Sequence, residues 1–233
     1  MKVFGIIPAR GGSKAIPNKN LVPLLNKPLL RYTCEAVRQS RRLSRTILST
    51  DSEEIAAVGR ALGIEVPFLR PPELAQDETP MLEVLLHAMA WAYKEAGEPC
   101  AVVLLQPTSP LRRAEHIDGA IDLFFTSHAD TVVSVVQVPH QYGPASLLEI
   151  DSNGQLHPCL DQPIILRRQA KSRYYARNGP AVLVMKPHVL MAGQLYGNIV
   201  RPFEMDFVDS VDIDVKDDLA LAECWLLRKR AQI

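Results

Sequence analysis

Short apolar runs alternate with longer segments of helical period through the first half of this 233-residue chain. That order leaves room for little besides a sheet flanked by helices. Val3 to Ile7, Thr46 to Ser49 and Ala101 to Leu105 read as strands. Leu29 to Gln39, Glu53 to Leu62 and Pro80 to Glu95 carry helical spacing between them, with Ser52 and Thr79 placed as N-caps. Ala114 to Phe125 returns to helix and Thr131 to Val136 to strand. Strand, helix and strand in that order predict βαβ units and a parallel sheet.

The alternation stops at Pro139. From there to about Asn178 the chain is turn-rich, and Asp151-Ser-Asn-Gly154 separates Leu147 to Ile150 from Gln155 to His157, a hairpin signal. The expectation is one domain over residues 1–233 with an insertion at about 139–178. Ala181 to Met185 re-enters the sheet, Val208 to Val215 is an apolar and acidic segment with strand character, and Leu219 to Leu227 is a closing helix. No internal repeat or flexible linker interrupts this order.

Composition excludes some functions. Lys plus Arg and Asp plus Glu both number 26, so no overall charge favours nucleic acid or a membrane surface, and an anion site must be local. No apolar stretch reaches the roughly 20 residues of a membrane helix. The opening MKVFGIIPAR resembles a leader only superficially, because Pro8 and Arg10 end its apolar run; it reads as a core strand. Cys34, Cys100, Cys159 and Cys224 form no Cys-x-x-Cys, and the six histidines make no local ligand pair. Reduced thiols in a cytoplasmic protein are the expectation.

Directly after the first strand comes Pro8-Ala-Arg-Gly-Gly-Ser-Lys14, continuing to Ile16-Pro-Asn-Lys-Asn20. Ligands of open α/β sheets bind at the carboxyl ends of strands, and Gly11 and Gly12 let backbone N–H groups approach an anion. Arg10, Lys14 and Lys19 add three cations, more than an ordinary turn requires. The loop is neither Gly-x-Gly-x-x-Gly nor Gly-x-x-x-x-Gly-Lys-Ser/Thr. The cations point to a triphosphate.

Arg10 to Asn20 resembles the opening signature of the acylneuraminate cytidylyltransferases. The resemblance continues through Phe68-Leu-Arg-Pro71, Leu74-Ala-Gln-Asp77, Gln106-Pro-Thr-Ser-Pro110, Arg168-Gln169, Asn178-Gly179 and Ser210-Val-Asp-Ile-Asp214, nearly the whole chain. It implies a Rossmann-like nucleotidyltransferase of the GT-A-like α/β class, a mixed sheet flanked by helices, with a small insertion used for a homodimer. It further implies transfer of CMP from CTP to the anomeric hydroxyl of a sugar acid, with Mg²⁺ as cofactor. Arg10, Gly11, Gly12, Ser13 and Lys19 would hold the phosphates, Asn20 and Arg70 the nucleoside end, and Gln106, Arg168 and Asn178 the acceptor. Asp212 and Asp214 would take the metal and, with Arg10 and Lys19, form the catalytic set.

Each residue has a plainer reading. Arg70 also suits a surface arginine before a Pro-Pro turn, Gln106 a backbone partner in a loop whose prolines lack donors, and Arg168 a solvated face. Asp212 and Asp214 stand two apart on a strand-like segment, so their side chains share a face and repel unless a cation separates them. Asp217 and Asp218 read as caps of the last helix. Two departures from the family fall on the acceptor side: Ala176 stands where an Arg precedes Asn-Gly, with Arg173 and Arg177 nearby, and Pro139 to Ala145 lacks a family Lys. The acceptor is therefore a class, with legionaminic and pseudaminic acids as alternatives. A guanine nucleotide, or a silent nucleotide-binding module, stand further off.

Overall fold

The computed structural model describes residues 2–160 and 172–231. The chain runs β1 (Val3–Pro8), a ribbon of β2 (Pro23–Leu24) and β3 (Lys27–Pro28), α1 (Leu29–Gln39), β4 (Arg45–Ser49), α2 (Glu53–Ala61), α3 (Met81–Ala96), β5 (Ala101–Leu104), α4 (Ala114–Thr126) and β6 (Thr131–Gln137). Then come β7 (Leu148–Ile150), β8 (Leu156–Pro158), β9 (Tyr175–Arg177), β10 (Leu183–Met185), α5 (Pro187–Met191), β11 (Val200–Met205) and α6 (Lys216–Arg230).

The main sheet has the order β11-β6-β10-β5-β1-β4, with β9 added to β6. It is mixed: β1 is parallel to β4 and β5, and β11 to β6, while β10 runs antiparallel between β5 and β6. The parallel reading holds for the first half and fails at β10, because the chain returns to the sheet after the insertion from the opposite end. It rejoins earlier than expected. Residues 135–137 of β6 project past β10, and β9, within the segment expected to stay outside, pairs with that exposed edge.

Every residue of β1 and β5 is buried, as central strands covered on both faces require. Successive side chains take opposite faces. Ile7, Leu48 and Val103 pack with Leu30 of α1, Ile55 of α2 and Ile117 of α4, whereas Ile6, Ile47 and Val102 pack with Leu85 and Met89 of α3. Ser52 caps α2 by accepting from the Ile55 amide at 3.3 Å. Thr79 does not cap α3: Pro80 holds that position, and the Thr79 hydroxyl accepts from the Gln76 amide and donates to Glu73 O.

Residues 208–215 form no strand. A 3-10 turn covers Phe207–Ser210, and the stretch beyond it is extended but unpaired in the sheet, held by Ile213 N–H donating to Thr108 O at 2.8 Å. The strand on that side is β11, which the sequence reading passed over because it is mostly exposed and Pro202, Arg201 and Glu204 interrupt its apolar run. No described helix is long and apolar enough to cross a membrane.

Candidate active site

The carboxyl ends of β1 and β5 meet at a cleft of about 260 Å³. Arg10, Gly12, Ser13, Lys19, Asn20, Arg70 and Gln106 all line it, so residues up to 96 positions apart converge, most of them from the predicted nucleotide set. Gly11 is the exception among the glycines. Its N–H donates to Asp51 Oδ1 at 2.9 Å, and the residue does not line the cleft. A side chain at Gly12, by contrast, would meet no atom within 4 Å.

The loop's cations are already engaged. Arg10 Nη2 lies 2.6 Å from Asp77 Oδ1, and Lys14 Nζ 2.7 Å from the other Asp77 oxygen. Hydrogen bonds from Lys14 and Arg10 hold the Asp77 carboxyl below the usual carboxylate range. Asn20 is buried and donates its amide to Arg10 O at 2.9 Å, so it also shapes the phosphate loop. Arg70 is no surface residue. It is 5% exposed, donates to Ser49 O at 3.0 Å and Leu74 O at 3.3 Å, and leaves Nε without a partner. Burial pushes its pKa down, against the pull of Asp51.

The acid pair adjoins the cleft through Lys19, whose Nζ donates to Ile213 O at 2.8 Å and to Asp214 Oδ1 at 3.2 Å. Val211 and Ile213 are buried in a third apolar cluster with Ile16, Leu29 and Ala222. Anchoring alternate residues in that core leaves Asp212 and Asp214 facing away from it. Asp214 is exposed, while Asp212 is half-buried with Oδ1 lacking any hydrogen-bond partner. Burial pushes the Asp212 carboxyl up; the Thr108 hydroxyl beside it works in the opposite direction, and Asp214 raises it further. An orphaned carboxylate oxygen beside a second carboxylate suits a hard cation such as Mg²⁺. No group of three or more His, Cys, Asp and Glu converges among the described residues, so the fit rests on these two acids. Asp218 caps α6, accepting from the Asp214 and Val215 amides at 2.8 Å.

On the other wall Gln106 Nε2 donates to Gly179 O at 3.0 Å. Gly179 has φ +118, and a Cβ there would lie 3.3 Å from Asp212 Oδ2. Asn178 does not face the cleft. It is 4% exposed and its amide is spent on Ser134, Ser210 and Met205 Sδ, which fixes the turn that carries Gly179. Arg177 donates to the Tyr196 hydroxyl at 3.1 Å, and Arg168 lies outside the described residues. The sequence reading missed Asp51, whose role appears only once β4 lies beside β1. Asp77 closes the Leu74-to-Asp77 motif, and nothing local in the sequence signals its pairing with Arg10 and Lys14.

A cytidylyltransferase family profile matches residues 4–223. The chain is 34% identical over 231 residues to an N-acylneuraminate cytidylyltransferase of Escherichia coli O18:K1:H7, covering 99% of this chain and 54% of that protein. It thus spans about half that relative's length. It is 33% identical over 226 residues to a CMP-N,N'-diacetyllegionaminic acid synthase of Legionella pneumophila, covering 96% of this chain and 95% of that protein. The fold is shared with a CMP:2-keto-3-deoxy-manno-octonic acid synthetase solved with CTP, at TM-score 0.72 and 16% identity over 98% of this chain and 100% of the other.

Proposed function

This chain belongs to the cytidylyltransferase family, and from that premise we propose that it transfers CMP from CTP to the anomeric hydroxyl of a sialic-acid-like nonulosonic acid, releasing pyrophosphate. The observation that carries the reading is the convergence of Arg10, Lys19 and Arg70 on one cleft whose facing wall presents Gln106. Similar identity to a sialic acid enzyme and a legionaminic acid enzyme supports an acceptor class rather than one sugar.

In the reaction the anomeric oxygen attacks the α-phosphorus, the α–β phosphate bond breaks, and the hydroxyl proton departs. Negative charge grows on the phosphate oxygens as pyrophosphate leaves. Arg10 and Lys19 are preorganised cations for that charge and favour the transition state over bound substrate. Arg70, fixed by two backbone carbonyls, closes the nucleoside end. Mg²⁺ held by Asp212 and Asp214 would supply charge neutralisation at the phosphates when bound. Gln106 faces the acceptor, and family resemblance gives its carboxylate to Arg168.

The assembly proposed is a homodimer through the insertion. Leu148 and Ile150 of β7 stand opposite Pro158 and Leu156 of β8, so these four share one face, and Leu148, Ile150 and Leu156 are 54%, 72% and 61% exposed. A lone two-stranded hairpin with an uncovered apolar face needs a partner surface. Four free cysteines support a cytosolic setting.

A pyrophosphate-release assay over the four nucleoside triphosphates and a panel of nonulosonic acids tests the function. CTP with at least one such acid should turn over. Turnover with GTP instead, or CTP binding without turnover on any acceptor, would overturn it.

A further inference from the structure

One cation lies beneath the site rather than in it. Arg112 follows the Gln106-Pro-Thr-Ser-Pro110 motif, is 2% exposed, and belongs to no ion pair among the described residues. Burial pushes its pKa down to about 9, which leaves it charged at neutral pH. Its ionisable neighbour is Cys34, whose thiol burial pushes up to about 12 and so keeps neutral. A buried charge without a counter-ion is strongly unfavourable unless its hydrogen bonds are well made, and an apolar side chain of like volume would fill the space at lower cost.

The bonds it makes are specific. Nη1 donates to Gln106 O at 2.9 Å and to Ala181 O at 2.7 Å, and Nη2 to the Thr33 hydroxyl at 2.5 Å. One planar group therefore ties the end of β5, the residue shortly before β10, and α1. The two carbonyls belong to the turns that form the acceptor wall. The side chain of Gln106 in turn reaches Gly179 O at 3.0 Å, and Gly179 packs on Asp212. Pro107 and Pro180 deprive these turns of backbone donors, so few other groups could set the spacing between them.

We propose that Arg112 is a positioning residue for the acceptor: by holding the Gln106 and Ala181 carbonyls at one separation it aims the Gln106 amide and the Gly179 turn at the sugar acid. This rests on the reading of the cleft as a cytidylyltransferase site. The nucleotide side, built from the loop after β1 and from Arg70, does not touch Arg112 and is left to its own contacts.

The test compares Arg112→Lys and Arg112→Met with the wild type, each assayed well below its unfolding midpoint. CTP affinity measured by calorimetry without acceptor should stay within about twofold, while kcat/KM for the acceptor falls about tenfold or more, as displaced reacting groups do. Lys should not rescue, because a point charge cannot replace a planar fork on two carbonyls. Gln106→Leu and Arg112→Met should be non-additive in acceptor kcat/KM, since both act through one contact. Wild-type acceptor kinetics in folded Arg112→Met would make Arg112 a structural strut and overturn the proposal. So would equal losses of CTP affinity and acceptor kcat/KM.

If neither variant folds, Thr33→Val removes one of the three bonds and should give a smaller loss confined to the acceptor; no such loss overturns the proposal. Wild-type protein that turns over no nonulosonic acid refutes the functional reading instead. Arg112 is then still tested by the Gln106 side-chain amide resonances, which should lose their hydrogen-bonded shift in Arg112→Met; an unchanged shift refutes its positioning role.

Discussion

Arg10 Nη2 and Asp77 Oδ1 lie 2.6 Å apart, with Lys14 on the second carboxylate oxygen at 2.7 Å. A carboxylate from the turn before α3 thus holds two cations of the loop after β1. Under the proposed function, phosphate oxygens must compete with Asp77 for them.

Removing each partner should have opposite effects. Arg10→Ala is expected to lower kcat/KM for CTP by about 10²-fold or more, the scale of losing one preorganised donor to a developing charge. Asp77→Asn should tighten inorganic pyrophosphate severalfold at low salt, with the gain shrinking as salt screens the loop. Steady-state kinetics reads the first and calorimetry at two ionic strengths the second, and weaker binding in Asp77→Asn would show that the carboxylate orients Arg10 for the ligand.

Asp214→Ala should abolish metal-dependent pyrophosphate release while leaving the unfolding midpoint near wild type, because Asp214 is exposed and Asp218 continues to cap α6. Turnover against Mg²⁺ concentration measures this. Unchanged turnover removes the acid pair from the chemistry.

Gly179→Ala places a methyl group 3.3 Å from Asp212 Oδ2 at a φ of +118. That backbone region costs a side chain on the order of 1–3 kcal/mol. Urea unfolding should show the loss, and acceptor kcat/KM should fall further than stability alone explains, since the Gln106 contact ends on Gly179 O.

His116 carries a pH signature. Its Nδ1 accepts from the Arg113 amide at 3.1 Å, which requires that nitrogen to be unprotonated. Burial lowers its pKa below 6.5, against the opposing charge of Asp209, while Arg113 lowers it too, Glu115 raises it and Lys229 lowers it. The unfolded chain therefore takes up a proton before the fold does. Stability from this group is complete above about 6.5 and declines as pH falls through the lowered value. Unfolding midpoints between neutral pH and pH 5.5 should show the decline. His116→Gln should flatten its share, because a glutamine at this capping position still accepts the amide.

Ile150→Asp with Leu156→Asp should leave a folded monomer if the hairpin face is the dimer contact. Sedimentation velocity of variant and wild type distinguishes the two states. A dimer that survives both charges uses another surface.

Most elements of the first half were legible because each carries its own pattern: buried runs for β1, β4 and β5, one-sided apolar spacing for α1, α2 and α4. The phosphate loop was legible for a similar reason, as Arg10, Gly12, Ser13, Lys19 and Asn20 are close in sequence. Reversal of β10, the β9 edge pairing and strand β11 were not legible. Their identity depends on which edge is left unpaired, and a six-residue, mostly exposed strand that carries a proline looks like loop. The alternation of Val211, Asp212, Ile213 and Asp214 was read correctly as two carboxylates on one side, although the cause is the core holding Val211 and Ile213 rather than a ladder.

By itself the sequence determined the α/β alternation, the cation-rich loop and the acid pair, all of which are written in neighbouring residues. Only the tertiary structure decided that Asp51 and Asp77 engage groups of that loop, that Asn178 braces a turn, and that Arg112 joins the Gln106 and Ala181 carbonyls. Those roles depend on contacts distant in sequence, such as Gly11 with Asp51, 40 positions apart, and Arg112 with Ala181, 69 apart. Residue type and local spacing encode which chemistry is available, but burial and long-range pairing select which of those groups remain free to perform it.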